Sequence, residues 1–279
     1  MKLRIAAAAV AALGAGAFEA RAGSITQPGE TVGLALGAPL PEGVYFLNTG
    51  SVGGFRAVGD DATLGVNIPV LAWSTPWQVA GGRIEAYAAA PFVGYSLAND
   101  TDHFDIYNPF FTAGIAWDLG GNWGFSTFVG AYGPVDNELG QNMWVFNSRS
   151  ALSYTGNNWN LTAHVIIGLT GEDENAGVRT HPDYVNLDLT AVKVIDKWQV
   201  GLVGFGSWDT SGTFYTDKKQ SQFALGGLVG YDFGKFTLQT YVTHDVWTEN
   251  YETEETRGWL RLILPVWSAP QAEPVTYKR

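Results

Sequence analysis

The chain has 279 residues, a formal net charge of −11, no cysteine, 35 glycines, and 11 Trp, 12 Tyr and 15 Phe. Without cysteine there are no disulfide staples or thiolate metal sites, and the acidity argues against nucleic-acid binding, which relies on Lys and Arg neutralising phosphates. A helical protein would rarely carry so much glycine, at about 1 kcal/mol for each one in a helix interior; glycine and aromatics rise together in many-stranded membrane barrels.

The first 22 residues are expected to be a cleaved secretory signal. Lys2 and Arg4 give a positive start, Ile5 to Phe18 form an uncharged, alanine-rich run, and Ala20-Arg21-Ala22 offers a small-x-small cleavage pattern before Gly23. The run is too short to span a membrane as a helix. Cleavage would remove Lys2, Arg4, Arg21 and Glu19 and leave the mature chain more acidic still. Residues 23–42, with Pro28, Pro39 and Pro41, precede the first strand. They are expected to form either a periplasmic segment or a plug in the barrel lumen, and the apolar stretch Val32-Gly33-Leu34-Ala35-Leu36 suits the second.

Residues 43–267 are expected to form a transmembrane antiparallel β-barrel of about twelve strands. The alternation is clearest at Trp159–Leu169, where odd positions read Trp, Leu, Ala, Val, Ile, Leu and the even ones include Asn160, Thr162 and His164. In a strand the two sets face opposite sides of the sheet. The strands fall near 44–52, 62–73, 83–95, 109–119, 123–132, 143–154, 159–170, 184–195, 198–208, 222–233, 236–246 and 258–267. Most are long enough to cross a bilayer when tilted, which takes about 9–11 residues.

Connections alternate in length. Gly120-Gly121-Asn122, Gly156-Asn157-Asn158, Asp196-Lys197 and Gly234-Lys235 are tight turns, whereas 171–183, 209–221 and 247–257 are long and polar. Short periplasmic turns and long extracellular loops characterise outer-membrane barrels, and an even strand number returns both ends to the periplasmic side. Most acidic residues lie in the long loops, including Glu172-Asp173-Glu174 and Glu252-Thr253-Glu254-Glu255. They are solvated surface or, on a sharper reading, bridge through divalent cations to lipopolysaccharide. Trp123, Tyr154, Trp159, Trp198, Phe233 and Phe236 flank short turns, where aromatic side chains suit the membrane–water interface. Residues 268–279 are expected to be a disordered tail, so Trp267 stands twelve residues before the end. Many outer-membrane barrels instead end on an aromatic residue that the barrel-assembly machinery reads.

The face opposite the apolar one should line the lumen. It carries Arg83, Glu85 and Tyr87 on the third strand, Asp118 on the fourth and Arg149 on the sixth. His164, Asn186 and Asp188 follow on the seventh and eighth, then Gln239, Tyr241 and Asp245 on the eleventh and Arg261 on the twelfth. Arg or Lys facing lipid costs about 2–4 kcal/mol at the midplane, whereas a wet interior accepts it. Acidic residues of other strands, Asp188 for example, are expected to hold the Arg149 guanidinium. Either these groups pair to fill a narrow barrel or they line a solute path. Twelve strands lie between about eight, which side chains fill, and about sixteen, which leave a wide pore, so a restricted channel is expected.

Nothing in the chain suggests an enzyme or a cofactor. None of His103, His164, His181 and His244 is followed two residues later by serine, as the nucleophile of barrel lipases requires. The chain has no G-x-S-x-G, no H-E-x-x-H and no P-loop.

The segments Pro41-Glu42-Gly43-Val44-Tyr45, Asn67 to Thr75 with Gly81-Gly82, Pro91, and Asn108-Pro109 to Trp117 resemble a family of outer-membrane proteins named for the meta-pathway of phenol degradation. The resemblance spans roughly residues 41–267. It implies a porin-like transport barrel in a Gram-negative outer membrane, taking hydrophobic or aromatic solutes. The expected partners are outer-membrane lipid, lipopolysaccharide, a small solute and the barrel-assembly machinery, with no nucleic acid. The alternative is a structural or adhesive envelope barrel with acidic extracellular loops.

Overall fold

The structure is a computed structural model that describes residues 23–57, 60–97, 102–251 and 253–269. The expected signal (1–22) and all but the start of the expected tail lie outside the described residues. Fourteen strand segments follow in chain order: β1 (Gly43–Ala57), β2 (Asp60–Val79), β3 (Gly82–Ala89), β4 (Phe92–Leu97), β5 (His103–Ile106), β6 (Phe110–Gly120) and β7 (Trp123–Tyr132). The second half contains β8 (Val145–Tyr154), β9 (Trp159–Thr170), β10 (Tyr184–Ile195), β11 (Trp198–Asp209), β12 (Ser221–Asp232), β13 (Thr237–Glu249) and β14 (Thr256–Ser268). All neighbours pair antiparallel, and β1 pairs with both β2 and β14, so the sheet closes on itself.

The fourteen segments make twelve staves. β3 and β4 pair with successive stretches of β2, while β6 and β5 pair with β3 and β4 in turn. Proline causes both breaks, because it has no N–H to donate to a ladder. Ala90-Pro91 separates β3 from β4, and Tyr107-Asn108-Pro109 separates β5 from β6. Neighbouring N–H groups span the gaps: Tyr107 donates to the Pro91 carbonyl at 2.8 Å and Gly133 to that of Pro109 at 2.9 Å. The third strand expected from the sequence is therefore interrupted, and the fourth gains β5 in what the sequence assigns to loop.

Alternation sets the two faces. Along β9 the even positions from Thr162 to Thr170 are buried and the odd positions from Leu161 to Leu169 are exposed. Leu161, Leu202, Leu225, Val229, Val242 and Leu260 all stand 40% or more exposed on the outer surface. Such a belt is unfavourable in water and is what a lipid-facing barrel presents. Trp73, Trp77, Trp123, Trp159, Trp198 and Trp267 are exposed at the short-turn end, and Trp144 and Trp247 at the long-loop end. The tight turns adopt left-handed backbone at Asn122, Asn157, Asn158, Asp196 and Ala80.

Residues 23–42 run through the barrel interior. The Gly23 N–H meets Asp209 at the long-loop end, and the Leu40 N–H meets Glu85 near the short-turn end, where β1 begins. Ile25 and Val32 are buried. After β14, the Ala269 N–H donates to the Glu42 carbonyl at 3.0 Å, so the chain leaves the barrel beside the point where β1 starts.

Candidate luminal site

The luminal segment is gripped by side chains from the wall. Gly29 takes φ +82° and Gly33 φ +88°, left-handed values that glycine adopts without strain. A Cβ at either would press on Phe205 or Leu228. The bend turns the N–H groups of Gly29 and Thr31 onto Asp188, each at 3.0 Å, and the Thr31 hydroxyl adds a third donor at 2.6 Å. From β14, Arg261 donates to the carbonyls of Glu30 and Val32, to Thr49 Oγ1 at 2.9 Å, to Gln239 Oε1 at 3.0 Å and to the Tyr241 hydroxyl at 2.9 Å. Wholly buried, its guanidinium is satisfied by neutral acceptors.

Eight of the twelve lumen candidates bond directly to residues 23–42. His164 Nδ1 lies 2.8 Å from the Thr31 hydroxyl, and Asn186 donates to Ser24 Oγ at 2.8 Å and to the Thr26 carbonyl at 3.2 Å. Asp188 and Arg261 do so as described. The Glu85 carboxylate accepts the Leu40 N–H at 2.8 Å. Gln239 donates to the Gly33 carbonyl at 3.3 Å and Tyr241 to that of Gly29 at 3.2 Å. Arg149 pairs with Glu30 at 2.8 Å. The expected Arg149–Asp188 pair is thereby corrected: amide and hydroxyl donors of the luminal segment occupy Asp188, and that segment brings its own carboxylate to Arg149.

Four candidates stand apart from that grip. Asp245, near the long-loop end of β13, accepts the Glu255 N–H at 2.9 Å. Tyr87 donates to Glu85 Oε2 and faces a cavity. Arg83 donates to the Thr75 carbonyl at 2.7 Å and lies 3.8 Å from Glu42, near the short-turn rim. Asp118 is a correction. It is exposed and accepts the Gly120 N–H at 2.8 Å in the β6–β7 turn, so it does not line the lumen. It shares the inward parity of Thr112 and Ala116, but the strand has reached the rim.

Several luminal groups carry no such signal in the sequence. Thr26 Oγ1 lies 2.9 Å from the hydroxyls of both Tyr132 and Tyr184, and Ser126 and Ser153 bond the backbone of Leu36 and Gly37. An inward aromatic or serine among apolar neighbours resembles its lipid-facing counterparts, so only register could have found them.

The segment leaves space beside it. A cavity of about 590 Å³ lies between residues 30–40 and the wall, chiefly β1, β2, β3, β6 and β7, and it extends to residues of β8–β11, β13 and β14. Leu34, Leu36, Leu47, Val70, Phe128 and Ile263 give it an apolar character, and it reaches Asn158 and Val194 near the short-turn rim. A second space of about 90 Å³, bounded by Ile25, Leu64, Val93 and His181, lies toward the long loops. The two share Glu30, Ile68, Pro91 and Tyr132. At that collar Arg149 donates to Glu30 and, at 2.9 Å, to the Tyr132 hydroxyl, while its guanidinium lies 4.2 Å over the Phe110 ring.

With this architecture in place, residues 48–262 match the family described as "Putative MetA-pathway of phenol degradation". The chain belongs to that family. Among solved structures, an outer membrane channel from Pseudomonas putida F1 is similar at 17% identity and a TM-score of 0.70, covering 82% of this chain and 97% of that one. At this identity the likeness shows the shared fold, that of an outer-membrane barrel. The NanC porin (10% identity, TM-score 0.48, covering 77% of this chain and 98% of that one) and the translocator domain of the autotransporter NalP from Neisseria meningitidis (10%, 0.44, 79% and 87%) are more distant. No curated protein matches the sequence. In this member of the phenol-degradation family, polar residues from several strands hold the luminal segment, and a largely apolar space lies beside it.

Proposed function

We propose that the protein is an outer-membrane channel for small, apolar or aromatic solutes, which pass between its luminal segment and the wall of β1–β3, β6 and β7. The observation that carries this reading is the apolar cavity of about 590 Å³, in line with the smaller space at the long-loop end. Ligand sites for drug-sized molecules occupy about 300–1,000 Å³ and are mostly apolar with a few polar groups. Here the polar groups are the Glu30–Arg149 pair and the Tyr132 hydroxyl, set where the two spaces meet. The collar is the constriction, and the ring of Phe110 beneath Arg149 keeps it narrow. Short turns would face the periplasm and the acidic long loops the lipopolysaccharide surface, with the barrel-assembly machinery inserting the chain after export.

Reconstitution tests this. Proteoliposomes should admit a neutral aromatic solute above the leak of empty vesicles, and faster than a charged solute of equal size. Equal rates for protein and empty vesicles would leave a structural or adhesive barrel as the reading.

A further inference from the structure

At the long-loop mouth, Asp209 closes β11 with only 8% of its surface exposed. Its Oδ2 accepts the Gln220 N–H at 2.9 Å and its Oδ1 accepts the Gly23 N–H at 3.0 Å. Among the described residues, no side-chain ammonium or guanidinium lies within ion-pair distance of it. Lys219, whose field reaches Asp209, turns its Nζ to the Thr210 carbonyl at 2.7 Å. A buried carboxylate that accepts two amides but lacks a cation in contact has given up hydration without full compensation. The space around Gly23 is fitted to a bare backbone: a Cβ there would lie 2.3 Å from Pro182.

We propose that Asp209 is the seat of the processed N-terminus: cleavage after Ala22 turns the Gly23 nitrogen into an α-ammonium that ion-pairs with Asp209 and pins the luminal segment at the mouth. The proposal rests on reading residues 1–22 as a cleaved signal. In that cleavage a signal peptidase adds water across the Ala22–Gly23 amide. The C–N bond breaks, hydroxyl bonds to the Ala22 carbonyl carbon, and a proton goes to the Gly23 nitrogen. At neutral pH the new carboxylic acid gives up its proton and the amine gains one. A charge-assisted hydrogen bond is about twice as strong as a neutral one, so processing tightens a contact that the amide N–H makes weakly. The segment is then held at both ends, by Asp209 at the mouth and by the start of β1 at the opposite rim.

Mature protein purified from outer membranes provides the test. Intact mass identifies its first residue, and brief acetylation at neutral pH, followed by peptide mass spectrometry, measures how fast the half-buried Gly23 amine reacts. The expected results are a chain starting at Gly23 and an amine that reacts roughly tenfold more slowly than in Asp209→Asn, the factor set by one pKa unit. Asp217→Asn, at an exposed carboxylate of the same loop, should leave the slow rate unchanged. Heat-modifiability on unboiled gels checks that each variant is folded. If Asp209→Asn does not fold, wild type in its native state should still react roughly tenfold more slowly than in urea. A different first residue overturns both the cleavage reading and the seat. A Gly23 start with equal rates in these comparisons leaves cleavage standing and overturns the seat.

Discussion

At the residue scale, the collar arginine has the most direct consequences. Arg149→Ala would remove a bulky cation from the narrowest part of the path and leave the Glu30 carboxylate without its partner. In planar bilayers conductance should rise and selectivity should shift toward cations, because fixed charge at a constriction governs which ions enter. Stability should fall by about 1–3 kcal/mol, the cost of an unsatisfied buried group, and not by the roughly 3–5 kcal/mol of a broken pair in a dry core, since water can reach the collar. Unchanged currents and reversal potentials would remove Arg149 from the conducting path. A second residue-scale prediction concerns Ala80, whose φ is +49° in the β2–β3 turn. Left-handed backbone costs an L-residue about 1–2 kcal/mol, and glycine returns about 0.5–1 kcal/mol of that as chain entropy. Ala80→Gly should therefore stabilise the barrel by up to about 1 kcal/mol in urea-driven unfolding from vesicles, and a loss of stability would contradict the turn geometry.

At the element scale, the luminal segment is set by close approach as well as hydrogen bonds. A Cβ on Gly124 would lie 2.5 Å from the Gly37 carbonyl, and one on Gly37 would lie 2.5 Å from the Ser153 nitrogen. Gly124→Val should push residues 35–40 off the wall, lengthen the Gly37–Ser153 hydrogen bond and raise the open-state current. A silent Gly124→Val would mean that the segment already moves freely at that point. The loop at 171–183 offers a pH-dependent counterpart. Burial pushes the His181 imidazole down to about 4, against the upward pull of Asp173. The unfolded loop takes a proton near 6.5 and the packed loop only near 4, so packing is fully favoured above 6.5 and is lost as pH falls between the two. Amide exchange over 171–183, corrected for intrinsic rate, should accelerate from pH 7.5 to pH 5, and His181→Gln should flatten that dependence. Acid-insensitive exchange in the wild type would contradict the burial of the ring.

Elements of this kind were unevenly legible in the sequence. The strands that alternate strictly, such as β9 and β10, and the turns marked by Gly and Asn stand within a few residues of where their patterns put them. The break at Pro91 was legible only as a proline, since the alternation runs through it, and β5 was not legible because the expected strand begins at Pro109. Asp118 shows the other limit: parity gives the face a side chain points to, whereas its depth depends on where the strand ends.

At the scale of the whole molecule, closure of the sheet follows from the register and gives a lumen that residues 23–42 fill in part. That polar groups on β3, β8, β10, β13 and β14 point inward was readable from alternation. Their common partner was not, because residues 23–42 have no period to mark which wall they touch. Glu30 gave no sign that it would take the place expected of Asp188 beside Arg149. The segment is held by polar groups from strands around the barrel yet leaves apolar space beside residues 30–40, and that space is the basis for the proposed solute path. The most direct measurement fills that space. Val70 lines the larger cavity and makes no hydrogen bond to the luminal segment through its side chain. Uptake of a neutral fluorescent aromatic should therefore be compared in cells carrying wild-type protein, Val70→Trp or no protein, with heat-modifiability confirming equal amounts of folded barrel. If solutes travel beside the segment, Val70→Trp should lower uptake to the protein-free rate. Wild-type uptake in a folded Val70→Trp barrel would contradict the path.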